Sequence, residues 1–317
     1  KINKLIKQIS KYDKTLELND WAKYLFIKRI GDEIYKDTNK SNIFTWYVLS
    51  KMAYDIKVGY NKEGIYLLST IKHKLFQVSF FNLSKKRYYV LNTSHGMKRI
   101  NQLRIYKGNY PTSINSLSFE INKPIKFNKD VQSKKLSFEF QGKQYNINAK
   151  YSKNLVDFYK SFPQSDYKIY FDSKNSIQIS SSLLKELNDQ LKNKTQIEAV
   201  NFLLRFTQKS FAYKTDQDQF SYEKVMFPEE TIFYPYSDCE DRSIMFSTLV
   251  RNLLDLNVVG IKFPDHLATA VEFTSKIKGD NFKYKGRTYT ISDPTYINAN
   301  AGMTMPKYKH TSFDIID

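Results

Sequence analysis

Between residues 237 and 293 the apolar residues of this 317-residue chain change their period, and that change calls for a helix laid on a sheet. After Ile244, the residues Phe246, Leu249, Val250 and Leu253 recur at helical spacing, so one helix face enters a core. Downstream, the stretches around 258–263, 266–273 and 288–293 read as strands of small and β-branched residues. Pro264-Asp265 breaks the first from the second, and Pro294 stops the third because proline cannot donate to a ladder. The fold class expected is α+β.

The helix opens in Tyr234-Pro-Tyr-Ser-Asp-Cys-Glu-Asp-Arg-Ser243, which holds Cys239, the single cysteine of the chain. Ser237 followed three residues later by Glu240 is a capping-box pattern, which puts Ser237 at the N-cap and Cys239 in the first turn. There the unpaired backbone N–H groups and the helix dipole favour a thiolate, while Asp238, Glu240 and Asp241 oppose it. The dipole supplies only ~0.3–1 kcal/mol, so activation requires an imidazolium partner. A lone cysteine is otherwise a small buried hydrophobe.

His266 begins the second strand and Asp293 ends the third. Lys278-Gly-Asp-Asn281 between them suits a two-residue type II′ turn at Gly279-Asp280. If Lys278 pairs with Asn281, Glu272 faces Arg287, Ala270 faces Tyr289, Ala268 faces Ile291 and His266 faces Asp293. The opposite charges of Glu272 and Arg287 support that register, and a bulge at Gly286 would shift it. Cysteine at a helix start, then histidine and aspartate on adjacent strands, is a nucleophile, base and orienting group in chain order.

Asp238-Cys-Glu-Asp-Arg-Ser243, Asp265-His-Leu-Ala-Thr-Ala-Val271 and Ser292-Asp-Pro-Thr295 resemble the three core blocks of the transglutaminase-like superfamily. The resemblance covers residues 195 to 300 or so and implies a helix packed on an antiparallel sheet, with a Cys239, His266, Asp293 triad for acyl transfer. The family often carries an aromatic residue soon after its histidine; Leu267 and Ala268 stand here, so stacking on the substrate side is not carried over. A side-chain donor for the oxyanion is sought upstream of the cysteine, where Gln219 and Tyr222 are the candidates; an ordinary polar loop is the alternative for each.

At the N-terminus, 17–36 and 42–54 read as helices, followed by strands near 57–60, 64–69 and 87–92. This order matches the catalytic half at a constant offset of 200, which lays Asn39, Tyr66 and Thr93 on Cys239, His266 and Asp293. The expectation is a degenerate copy; two unrelated helix–strand patterns are the alternative. Three parts are expected: 1–96, an α+β region; 97–178, a β-rich domain with strands at Ser116–Ile121, Leu136–Phe140, Gln144–Ala149 and Tyr167–Phe171; and 179–317, the catalytic domain, with helices at 182–193 and 196–210.

The formal charge of +18 favours acidic partners such as a cell-surface polymer, but the lysines are dispersed and no nucleic-acid motif accompanies them. No apolar run is long enough to span a membrane, and the first residues do not form a signal peptide. Because the chain does not start with methionine, a trimmed product is expected, periplasmic or secreted, whose targeting segment is absent from it. Four scattered histidines argue against zinc, and Asp216 with Asp218 is too sparse for a calcium loop. The expected function is a cofactor-free cysteine peptidase or amidase acting on a peptide or protein amide. The alternatives are a crosslinking transglutaminase and a non-catalytic scaffold that keeps the fold.

Overall fold

The computed structural model describes residues 2–91, 99–108, 112–127 and 129–317. The chain divides into two compact units, residues 1–126 with 160–169, and residues 127–159 with 170–317. In the first, α1 (Ile2–Leu16), α2 (Asp20–Tyr35) and α3 (Thr38–Lys51) precede a sheet. The side chains of Asn19 and Asp37 cap α2 and α3, accepting from the N–H groups of Ala22 at 3.0 Å and Lys40 at 2.8 Å. Because Asp37 supplies the cap, α3 starts before the expected residue 42.

Strands β1 (Ile56–Asn61), β2 (Gly64–Ser69), β3 (Phe80–Leu83), β4 (Lys86–Val90) and β5 (Arg104–Ile105) form an antiparallel sheet in the order β3-β4-β2-β1-β5. The alternation in Ser116–Ile121 is real in burial, since Leu117, Phe119 and Ile121 are all buried. Its backbone, however, makes no ladder: Leu117 makes a single bridge to Ile71, and the Ser118 N–H donates to the Asp20 carboxylate at 2.8 Å.

The second unit opens with a long hairpin, β6 (Val131–Phe140) and β7 (Lys143–Ser152), turned at Gln141-Gly142, both at positive φ. Next in the chain come α4 (Lys153–Lys160), which ends at the boundary with the first unit's 160–169, and α5 (Tyr167–Phe171), which straddles the return; α6 (Ile177–Ile179), a π-helical turn at Ser180–Leu184, α7 (Lys185–Leu191) and α8 (Gln196–Ser210) follow in the second unit. The expected β-rich domain at 97–178 is therefore divided. Its first part belongs to the first unit, and the hairpin joins the second, where Phe138 meets Phe202 and Phe206 of α8 edge-on at 5.1 and 5.4 Å. Tyr167–Phe171 is a helix rather than a strand; Ile169, Tyr170 and Phe171 are buried in succession, which an alternating strand on one core face does not do.

The rest of the unit is β8 (Ala212–Tyr213), α9 (Asp216–Phe220), α10 (Pro228–Phe233), β9 (Tyr236–Ser237), α11 (Cys239–Leu254), β10 (Val258–Phe263), β11 (His266–Val271), β12 (Asn281–Tyr284), β13 (Arg287–Ser292) and β14 (Asp314–Ile316). The last five strands form one antiparallel sheet, β12-β13-β11-β10-β14. Phe246, Leu249 and Val250 of α11 share a core with Val258 and Val271. No helix among the described residues is long and apolar enough to cross a membrane.

The expected hairpin register is corrected. β12 intervenes, and the tight turn lies at Lys285-Gly286, both at positive φ, between the paired residues Tyr284 and Arg287. Ala270 pairs with Ile291 instead of Tyr289, a slip of two residues. An even slip keeps every side chain on its face, so His266 and Asp293 become diagonal neighbours rather than direct ones. Glu272 and Arg287 still meet, at 3.0 Å. Gly279 serves a different purpose from the expected turn: its N-terminal neighbour strand is not closed there, and its backbone lies against Gly302.

The two five-stranded sheets have the same strand order. The β1–β2 turn at Lys62-Glu63 corresponds to Pro264-Asp265, and the β3–β4 turn at Ser84-Lys85 to Lys285-Gly286. The constant offset of 200 is thus one or two residues short. Gly64, not Tyr66, occupies the strand position of His266, and Thr93 lies outside the described residues.

Gly279→Ala and Gly142→Ala test the close approach. A Cβ at Gly279 would lie 2.4 Å from the Gly302 carbonyl oxygen, whereas one at Gly142 meets nothing within 4 Å; both positions have positive φ. Gly142→Ala should cost about 1–2 kcal/mol of backbone strain in urea denaturation, and Gly279→Ala clearly more.

Candidate active site

α11 begins one residue later than the capping pattern in the sequence implied. Asp238 is the N-cap, Cys239 is the first helical residue, and Asp241 accepts from the Asp238 N–H at 3.2 Å and from the Met226 N–H at 2.8 Å. The Ser237 hydroxyl instead receives the Nε–H of Arg242 at 3.2 Å.

Cys239 is half-buried, and the backbone N–H of Leu267 donates to its sulfur. One turn along the helix, the Ser243 hydroxyl donates to the Leu267 carbonyl at 3.0 Å. The helix therefore holds both backbone groups of the residue next to His266. In the first unit Asn39 Oδ1 accepts from the Ile65 N–H at 2.9 Å and Asn42 Nδ2 donates to the Ile65 carbonyl at 2.8 Å. Asn39 thus makes the contact that Cys239 makes, as the sequence offset placed it.

His266 Nε2 lies 2.8 Å from Asp293 Oδ2, with both side chains buried. The other carboxylate oxygen of Asp293 accepts from the N–H groups of Thr295 at 2.8 Å and Tyr296 at 3.2 Å, an Asx-type turn that Pro294 helps to shape. With the carboxylate as acceptor, Nε2 carries the hydrogen of this bond, which leaves Nδ1 as the ring nitrogen not engaged by Asp293. The imidazole also stacks on Tyr308 at 5.1 Å and 6°, and the Tyr308 hydroxyl donates to Asp265 at 2.9 Å. Local sequence gave no sign of Tyr308, because it reaches His266 from more than forty residues away.

The electrostatics run against a resting thiolate. Burial pushes the Cys239 thiol up, and the charges of Glu240 and Asp238 push it further. The thiol lies 2.9 Å from Glu240 Oε2, to which it donates. Burial, together with Asp241 and Glu240, pushes Asp238 up to about 11. Asp241 is raised as well, by burial first and then by Glu240 and Asp216. Asp216, Asp238 and Asp241 bring carboxylate oxygens within 4.8 Å of one another, all buried. An oxygen-only set like this could hold a hard cation, the alternative being the protons that burial favours. Residues distant in sequence assemble it, so reading Asp216 beside Asp218 missed it.

Arg242 is the largest fully buried side chain, donating to the Phe211 carbonyl at 2.5 Å and lying 5.3 Å from the ring centre of Tyr213. Tyr213 pairs with Ser237 across β8 and β9, which brings it to the helix start; burial and then the Cys239 charge raise its phenol to about 12. Of the two expected oxyanion donors, Gln219 lies on α9 with its amide nitrogen buried and unpartnered, and Tyr222 packs on Phe220.

A scan against protein-family models and searches of curated proteins and of solved structures found no match.

Iodoacetamide should alkylate Cys239 more slowly than a free thiol at neutral pH, and Glu240→Gln should speed it by removing the nearest negative charge. A second consequence concerns stability. Burial raises Asp216 from 3.8 to about 7, so the folded chain keeps a proton that the unfolded chain releases near pH 4. Stability therefore falls as pH rises between those values. Calorimetry should show Tm decreasing from about pH 4 to about pH 7, with a shallower slope in Asp216→Asn.

Proposed function

We propose that the chain is a cysteine acyl-transfer enzyme of the transglutaminase-like type, acting on amide bonds and passing the acyl group to water. The observation that carries this is the buried His266–Asp293 pair on adjoining strands, with the Cys239 sulfur held by the next residue of the same strand. The sulfur attacks the amide carbonyl carbon while its proton passes to the free nitrogen of His266. Asp293 keeps the ring in that tautomer and stabilises the imidazolium. The tetrahedral intermediate collapses, His266 returns the proton to the leaving amine, and a thioester forms. Water, deprotonated by His266, then attacks the thioester and releases the acid and the thiol.

Because the resting thiol is neutral, deprotonation accompanies attack instead of preceding it. The first unit carries Asn39 and Gly64 in the places of the nucleophile and base, which supports reading it as a non-catalytic copy. Crosslinking is the second reading, in which an amine replaces water; the neutral, general-base nature of the site favours neither acceptor, and hydrolysis needs no further binding site. The +18 charge supports acidic polymers or proteins as substrates' surroundings.

Cys239→Ala should abolish cleavage of an amide substrate. His266→Ala should lower kcat by about 10²–10⁴-fold, and Asp293→Ala should lower turnover more than it lowers alkylation of Cys239. Cleavage that survives Cys239→Ala rejects the reaction. Cys239-dependent incorporation of a labelled amine in excess of acid release selects crosslinking.

A further inference from the structure

His266 and Phe263 are direct partners across β10 and β11, so their rings stand on the same face of the sheet. The Tyr308 ring lies over both. It is nearly parallel to the imidazole, at 5.1 Å and 6°, and to the Phe263 ring, at 4.6 Å and 21°. Parallel, offset rings at such distances attract one another beyond the area they bury. Tyr308 and His266 are 7 and 9 % exposed, so the stacked faces are closed to bulk water.

Tyr308 is itself fixed at three points. It ends a 3-10 turn (Pro306–Tyr308), where its N–H donates to the Met305 carbonyl at 2.9 Å and its carbonyl accepts from the Thr311 N–H at 3.0 Å. Its hydroxyl donates to one oxygen of Asp265 at 2.9 Å, and Lys307 pairs with the other. The bonds from Lys307 and Tyr308 hold the Asp265 carboxyl below the usual carboxylate range, so this anchor is ionised near neutral pH. Asp265 directly precedes His266. The tyrosine thus grips one residue of this dipeptide through its hydroxyl and the next through its ring.

Among the described residues, the hydrogen-bond partner of the imidazole is Asp293. A ring held by one hydrogen bond can still rock about the axis of that bond. A second flat ring laid against it removes this freedom. We propose that Tyr308 is the positioning residue for His266, fixing the plane of the imidazole and with it the direction of Nδ1. This rests on the acyl-transfer reading, in which that nitrogen receives the thiol proton. Proton transfer needs the lone pair aimed along the ring plane at its donor, so a tilted ring is a poorer base.

The test uses the full chain labelled with ¹⁵N-histidine. Tyr308→Phe keeps the ring and loses the hydroxyl, whereas Tyr308→Leu loses the flat face. Tyr308→Met, a longer side chain without a ring, is carried alongside against failure of the leucine variant to fold. Tyr289→Leu removes similar bulk from the same core cluster and leaves the stack in place. The first readout is exchange with water of the imidazole Nε2–H, assigned by its loss in His266→Gln. The second is the burst of p-nitrophenol from p-nitrophenyl acetate, assigned by its loss in Cys239→Ala. Tyr308→Leu and Tyr308→Met should speed the exchange and slow the burst, each by about tenfold. Tyr308→Phe should stay within about twofold of the parent in both, and Tyr289→Leu should lower Tm while leaving both unchanged. Exchange as slow in the leucine and methionine variants as in the parent, or equally fast in Tyr289→Leu, would overturn the proposal. So would a Tyr308→Phe variant as impaired as Tyr308→Leu. The exchange needs no substrate, so a burst absent from the parent chain rejects the acyl-transfer reading while the exchange still judges the hold on the ring.

Discussion

One residue of β11, Leu267, is held at both its backbone groups by one face of α11, and the geometry of the site follows from that grip. Hydrogen bonds to buried backbone groups contribute about 1 kcal/mol each, and leaving such a group unpaired costs about 1–3 kcal/mol. The strand therefore cannot slide along the helix without orphaning both. His266 precedes Leu267 on the same strand, and Asp293 reaches it from the end of the neighbouring strand at 2.8 Å. The first unit repeats the grip with two asparagines on Ile65. The clamp is common to both units, while the groups suited to chemistry occur in the second.

The helix start is also an unusually acidic burial. Asp216, Asp238 and Asp241 bring carboxylate oxygens within 4.8 Å of one another, and the buried Arg242 guanidinium is the cation that acts on Asp238 and Asp241. Burial and like charge keep protons on acids that would be ionised in water. A cysteine in such a place rests as the thiol, so in the proposed reaction the base would have to come from outside the acidic cluster.

Much of the site was legible because it rests on local periodicity. The helical spacing after Ile244 and the small residues after His266 fixed which elements carry Cys239 and His266. The register guess erred by two, yet the pairing of His266 with Asp293 survived because a strand's faces repeat every second residue. What escaped depends on contacts between distant segments. Tyr308 stacks on the imidazole, Asp216 joins the acids of α11, and Gly279 lies against Gly302, none of them marked by spacing. Ser116–Ile121 misled for a different reason: alternation reports a half-buried backbone, and such a backbone can be satisfied by bridges and side chains as well as by a ladder. The offset between the two sheets drifts from 200 because turns and caps, unlike strands, change length freely.

The protonated state of Cys239 also bears on how the protein ages. Oxidation of sulfur to sulfenic acid proceeds through the thiolate, so a thiol kept neutral by burial and by Glu240 reacts sluggishly with peroxides. With no second cysteine in the chain, no resolving thiol within it can convert a sulfenic acid into a disulfide. Slow entry into oxidation is then the site's own protection against a lesion that the chain cannot reverse by itself.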